Sequence, residues 1–167
     1  MKSVARQMTK RGSAAWLLAL WLLAIGAGAS LVRAEPAARN PAGLDLGKYR
    51  GKVVMVDFWA SWCGPCKLAF PFMAQMTHRY RKGDLVVITI NEERQRAAGE
   101  GFLRQVRSTL PVVWDSNGAI GKSWSVNEMP TTLLFDRSGK MRFRHQGFTA
   151  EGTTEYQAQL DSLIKEH

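Results

Sequence analysis

The sequence predicts an α/β domain built on a central mixed sheet. One half is a parallel βαβ unit, the other an antiparallel ββα unit, helices flank the sheet, and an extra helix is inserted after the second parallel strand. Three observations predict it. Residues 53–58 and 85–90 are apolar and β-branched, the composition of strands buried on both faces. Between them Ala69, Phe72, Met73, Met76 and Tyr80 recur at the spacing of one helical stripe. Further on, residues 131–136 and 141–145 flank Arg137-Ser138-Gly139-Lys140, a polar, glycine-containing turn that closes an antiparallel hairpin.

The N-terminus is of a different kind. Residues 1–11 carry Lys2, Arg6, Lys10 and Arg11 and no acid, residues 14–29 are apolar, and Val32-Arg33-Ala34 offers a small-residue cleavage site. This is the pattern of a secretory signal peptide over residues 1–34. The uncharged run over residues 13–32 is also long enough to span a bilayer, so an uncleaved membrane anchor is the alternative. Residues 35–43, rich in Ala, Pro and Asn, read as a flexible leader, and residues 44–167 as one folded domain. Without residues 1–34 the chain has 18 basic and 14 acidic residues, a net +4 in place of +9. That balance, with no basic stripe interleaved with aromatics, gives no support for nucleic-acid binding.

Within the domain, residues 63–81 are expected to be a helix, kinked at Pro71 and stopped near Gly83. A strand, helix and strand of these lengths place the two strands parallel, with a right-handed crossover. Residues 92–107 read as a polar, Arg-rich helix resting on Phe102, Leu103 and Val106, with Arg94, Arg96, Arg104 and Arg107 in solvent. Residues 112–114 read as a short strand, 119–124 as a short helix, and 151–166 as a last helix with Tyr156, Leu160, Leu163 and Ile164 inward. In the second hairpin strand Met141, Phe143 and His145 alternate with Arg142 and Arg144, so one face should be wet.

Both cysteines lie in one segment, Trp62-Cys63-Gly64-Pro65-Cys66. A structural disulfide stabilises most when it closes a long loop, and this loop is minimal, so the pair points to chemistry. Cys63 falls where a buried strand gives way to a helix. Free N–H groups and the positive end of the helix dipole there favour a thiolate over a thiol of pKa about 8.5. Pro65 suits a first helical turn, and Gly64 leaves room for a partner. Cys66, one turn on, is placed to resolve a mixed disulfide formed at Cys63. A closed zinc site needs four ligands, and two cysteines with the scattered His78, His145 and His167 do not suggest one. No metal or other cofactor is called for.

The run Val56-Asp57-Phe58-Trp59-Ala60-Ser61-Trp62-Cys63-Gly64-Pro65-Cys66-Lys67 resembles the active-site segment of the thioredoxin superfamily. Pro71 matches that family's helix proline, and Met129-Pro130-Thr131-Thr132 resembles the loop before its hairpin. Within the superfamily the chain is more similar to the TlpA-like exported reductases, a group that includes ResA-like and DsbE-like proteins of cytochrome c maturation. The likeness spans roughly residues 44–148. It implies a thioredoxin-like fold, a cis peptide at Pro130 beside Cys63, and a client held by the Met129 backbone with Thr131, Trp62, Gly64 and Pro65 around it. It also implies that Asp57, a carboxylate costly to bury without a task, takes the proton of Cys66 during resolution. The chain departs from the TlpA-like pattern at Ala69, where many members carry an acid, and at Asp57, where many carry Asn. Trp59 is assigned to the core and Trp62 to the surface, with Trp114 and Trp124 as packing residues.

The activity implied is thiol–disulfide exchange with client proteins in the periplasm, reducing their disulfides, with a membrane thiol transporter as electron donor and a monomeric enzyme. The protein would be soluble after cleavage near Ala34, or membrane-bound if the N-terminal segment is retained. A binding or assembly protein of the same fold, holding copper or an apoprotein during cofactor insertion, is the competing reading.

Overall fold

A computed structural model describes residues 44–80 and 83–166. The signal peptide or anchor expected over residues 1–34 and the leader over 35–43 lie outside the described residues. No helix among the described residues is long and apolar enough to cross a membrane.

A short 3-10 helix, Gly47–Tyr49, precedes five strands and four α-helices: β1 Val53–Trp59, α1 Gly64–Arg79, β2 Leu85–Asn91, α2 Arg96–Gln105, β3 Val112–Trp114, α3 Ala119–Ser123, β4 Thr131–Phe135, β5 Met141–Gln146 and α4 Thr153–Lys165. The sheet order is β3-β2-β1-β4-β5. β1 and β2 are parallel, as are β2 and β3, whereas β4 runs antiparallel to both β1 and β5. The predicted parallel and antiparallel halves thus meet along β1, the central strand.

β1 is buried at every position, which is why its sequence is a continuous run rather than an alternation. Its two faces serve two cores. Val53, Met55 and Trp59 pack with Ala69, Phe72, Met73 and Met76 of α1 and with Tyr156, Leu160 and Leu163 of α4. Val54, Val56 and Phe58 pack with Leu44, Leu46, Ile88, Ile90, Ile120, Leu133 and Phe135.

Three expectations change. The helix predicted from residue 92 begins at Arg96, because the Asn91 side chain accepts the Glu93 N–H and holds residues 91–93 in a turn. Arg94 therefore precedes the helix, and the Arg96 guanidinium lies over the Trp114 ring, 4.7 Å from its centroid. α1 ends at Arg79, with extended Tyr80 as its C-cap, ahead of Gly83. Pro71 lies inside α1, whose helical assignment continues on both sides of it. In β5, Met141 is exposed, while Arg144 turns to the carbonyls of Trp124 and Ser125. The inward apolar and outward charged alternation therefore fails at the start of this edge strand. At Gly99 α2 lies close against the sheet: a Cβ there would lie 2.7 Å from the Trp114 ring.

Candidate active site

Cys63 is the N-cap of α1, with extended backbone, and Pro65 occupies the first helical turn. Cys63 and Cys66 are joined in a disulfide with Cα atoms 5.3 Å apart. The Cys66 N–H donates to the Cys63 sulfur at 3.2 Å. The helix N-terminus thus directs a backbone donor at the sulfur expected to carry negative charge once the pair is reduced. Cys63 retains 4% of its surface and Cys66 none, so Cys63 is the less enclosed of the two residues. Beside it Trp62 is 72% exposed. Gly64 and Pro65 are also exposed, and a Cβ at position 64 would meet nothing within 4 Å.

The strand before the helix is locked in place. Trp59 is fully buried against Phe70, Phe102 and Trp114, and its carbonyl accepts the Glu92 N–H. Glu93 takes both the N–H and the hydroxyl of Ser61, and the Asn91 amide donates to the same carboxylate. The loop that delivers Cys63 is therefore clamped to the exit of β2. Beyond Glu93, burial and then the Asp115 carboxylate push Glu92 up to about 7. Ala69 is buried in the core shared with both cysteines.

The Met129–Pro130 peptide is cis. Phe58 pairs with Thr131 across β1 and β4, so Pro130 comes level with the end of β1, where the chain turns to Cys63. The Pro130 carbonyl accepts the Gly147 N–H at 2.8 Å. Met129 packs against the core that contains both cysteines. Thr131 is fully buried and its hydroxyl donates to the Glu128 carbonyl. Its side chain is tied to the loop by that bond.

Asp57 is fully buried at mid-sheet. Its Oδ2 accepts the Thr132 hydroxyl at 2.7 Å, and its Oδ1 has no partner. Burial pushes its carboxyl from 3.8 up to about 7, against the lowering effect of the Thr132 bond. His145 stacks on Tyr156 at 4.0 Å and its Nε2 lies 2.6 Å from Gln159 Oε1, whereas His78 is exposed. No group of three or more His, Cys, Asp or Glu suited to a metal occurs among the described residues.

Sequence reasoning passed over Thr132, Glu93 and Asn91. The one available signal for Thr132 was a polar residue in an otherwise buried strand, since its partner lies 75 residues away. Glu93 carried none, because its partner Ser61 is 32 residues distant.

The Redoxin family profile matches residues 27–160. The thiol–disulfide oxidoreductase ResA of Bacillus thuringiensis is 30% identical over 122 residues, 73% of this chain and 67% of that protein. ResA of Bacillus subtilis is 29% identical over 102 residues, 61% of this chain and 57% of its own length. Among solved structures, a thiol:disulfide interchange protein DsbE from Chlorobium tepidum superposes with a TM-score of 0.69 at 35% identity, covering 72% of this chain and 86% of that one. A protein disulfide isomerase from Bacteroides thetaiotaomicron gives 0.65 at 26% identity, covering 74% and 80%. Fold, cysteine pair and sequence agree, and the chain belongs to the Redoxin family as a ResA-like thiol–disulfide oxidoreductase of thioredoxin fold.

Proposed function

We propose that the protein is exported to the periplasm and there reduces disulfides in client envelope proteins, such as those of cytochrome c or copper-centre assembly. The observation that carries this reading is the Cys63–Cys66 pair at the N-terminus of α1, with Cys63 the less enclosed residue beside exposed Trp62 and Cys66 fully buried. The basic and apolar N-terminal segment supports export.

The reaction begins with the pair reduced. The Cys63 thiolate attacks one sulfur of a client disulfide, forms the mixed disulfide and expels one client thiolate. Cys66 then gives its proton to the Asp57 carboxylate, and its thiolate attacks the Cys63 sulfur. The Cys63–Cys66 disulfide forms and the second client thiolate leaves. Two electrons have passed from the pair to the client. A membrane thiol transporter returns them, by the same exchange run backwards. A carboxyl pushed up to about 7 is matched to this task, because it accepts and releases a proton near neutral pH. Trp62, Gly64 and Pro65 provide an open face for the client. The Met129 peptide, which has no hydrogen-bond partner among the described residues, offers it a strand-like docking edge.

The direction is tested by alkylating thiols in intact cells, with and without the transporter. The reductase reading predicts a mostly reduced pair that becomes oxidised when the transporter is removed. A pair that is oxidised in both strains would overturn it.

A further inference from the structure

Asp57 does not stand alone on its strand. Across the sheet it is in register with Thr89 of β2 on one side and Thr132 of β4 on the other, and Thr132 is in register with His145 of β5. Four residues thus form one row on a single face, since directly paired positions share a face. Its neighbours along the strands, Met55, Trp59 and Leu134, belong to the core made with α1 and α4, which places the row beneath those helices. Tyr156 of α4 lies over it. The Tyr156 hydroxyl is 3.4 Å from Thr132 Oγ1 and 3.5 Å from the Gly147 carbonyl.

The donors can be counted. Thr132 has one hydroxyl hydrogen, and Asp57 Oδ2 receives it. Its oxygen then remains an acceptor, and the Tyr156 phenol faces it with one hydrogen that Thr132 Oγ1 shares with the Gly147 carbonyl. The ring of Tyr156 is fixed by His145, Phe72 and Phe148, so the phenol oxygen has little freedom to leave. Asp57 Oδ1, sealed from solvent, has no donor at all.

We infer that Thr132 and Tyr156 are positioning residues for proton transfer, their hydroxyls donating in series to Asp57 Oδ2 so that Oδ1 is the oxygen that takes the Cys66 proton. The inference rests on the reading of Asp57 as the base for Cys66. A donated hydroxyl does two things for a buried carboxyl. It fixes the rotation of the group, and it stabilises the charged form. Both are needed if the group is to be found ionised and aimed when the mixed disulfide forms. Tyr156 of α4 is the titratable group that interacts with Asp57, and Cys66 of α1 belongs to the core on the same face of the sheet. His145 of β5 stacks on Tyr156, Glu155 of α4 interacts with Tyr156, and β2 and β4 present the neutral Thr89 and Thr132.

The test separates the two chemical steps in the full chain. Reduced protein is mixed with a disulfide-bonded peptide in rapid quench, from about pH 5 to about pH 9. Formation of the mixed disulfide reports Cys63, and release of the peptide dithiol reports Cys66. Thr132→Val is expected to slow release about tenfold near neutral pH and to move its midpoint up by about one pH unit, with mixed-disulfide formation unchanged. Thr132→Ser should restore both values. Tyr156→Phe, which loses one oxygen and keeps the ring stack, should move the midpoint in the same direction by less, and it keeps the test decisive if the valine variant does not fold. Wild-type midpoints in Thr132→Val and Tyr156→Phe, together with loss of the titration in Asp57→Asn, would overturn the hydroxyl arm while leaving Asp57 as the base. Retention of the titration in Asp57→Asn would overturn the role of Asp57 itself.

Discussion

Replacing Asp57 by Asn should make the oxidised protein more stable, by an amount that depends on pH in a defined way. The folded protein holds the Asp57 carboxyl at about 7, against 3.8 for the free group. The folded state therefore binds this proton more tightly than the unfolded chain does. The stability that goes with it is fully present below pH 3.8 and is lost as pH rises through about 7. At about 1.4 kcal/mol per pH unit the loss is about 4 kcal/mol, a large part of the 5–15 kcal/mol typical of a domain. Asn fits the same space and does not titrate, so it escapes the loss. The assay is urea denaturation of both proteins, with the Cys63–Cys66 disulfide closed, at intervals from about pH 4 to about pH 8. Glu92, also pushed up to about 7, is common to both proteins and cancels in the difference. The variant should gain on the wild type steadily up to about pH 7 and level off above it. A difference that stays flat would show that Asp57 is not held above its ordinary value, and the proton step assigned to it would lose its basis.

Two further substitutions separate docking from scaffolding. Trp62 is 72% exposed, so Trp62→Ala should change stability by less than about 0.5 kcal/mol while lowering kcat/KM several-fold for a folded protein client. Steady-state kinetics should show little effect with a small disulfide, and equal losses for both substrates would remove the docking role. Glu93→Ala strips the Ser61 N–H and hydroxyl of their acceptor. It should cost about 1–3 kcal/mol in urea denaturation and slow mixed-disulfide formation at Cys63, leaving the pH midpoint of the Cys66 step where it was.

Much of this architecture was legible because burial writes itself into sequence. β1 and β2 lie at the centre of the sheet and read as mostly apolar runs, interrupted by Asp57 in β1 and by Thr89 and Asn91 in β2. α1 carries one buried stripe at helical spacing. The Cys63–Cys66 site was legible for a local reason: a strand end, two cysteines one turn apart and a proline in the first turn all lie within a few residues. What escaped was set by side chains that meet only after folding. The start of α2 shifted because the Asn91 side chain takes the Glu93 N–H. The end of α1 fell before Gly83, so the glycine punctuates the loop rather than the helix. Thr131 lies next to the cis proline and looked available to a client, yet its hydroxyl is spent on Glu128. Its neighbour Thr132, quoted in the same motif but given no role, touches the buried acid. Adjacent residues on a strand face opposite sides, and only the register of β4 on β1 says which threonine meets Asp57.

The central claim is that Cys63 attacks and Cys66 resolves. It is tested most directly by incubating the reduced, full-length Cys66→Ser protein with a disulfide-bonded client and mapping any adduct by mass spectrometry. A covalent complex through Cys63, released by reductant and absent with Cys63→Ser, is the predicted result. No complex, or an equal yield through Cys66 in the Cys63→Ser protein, would contradict the account.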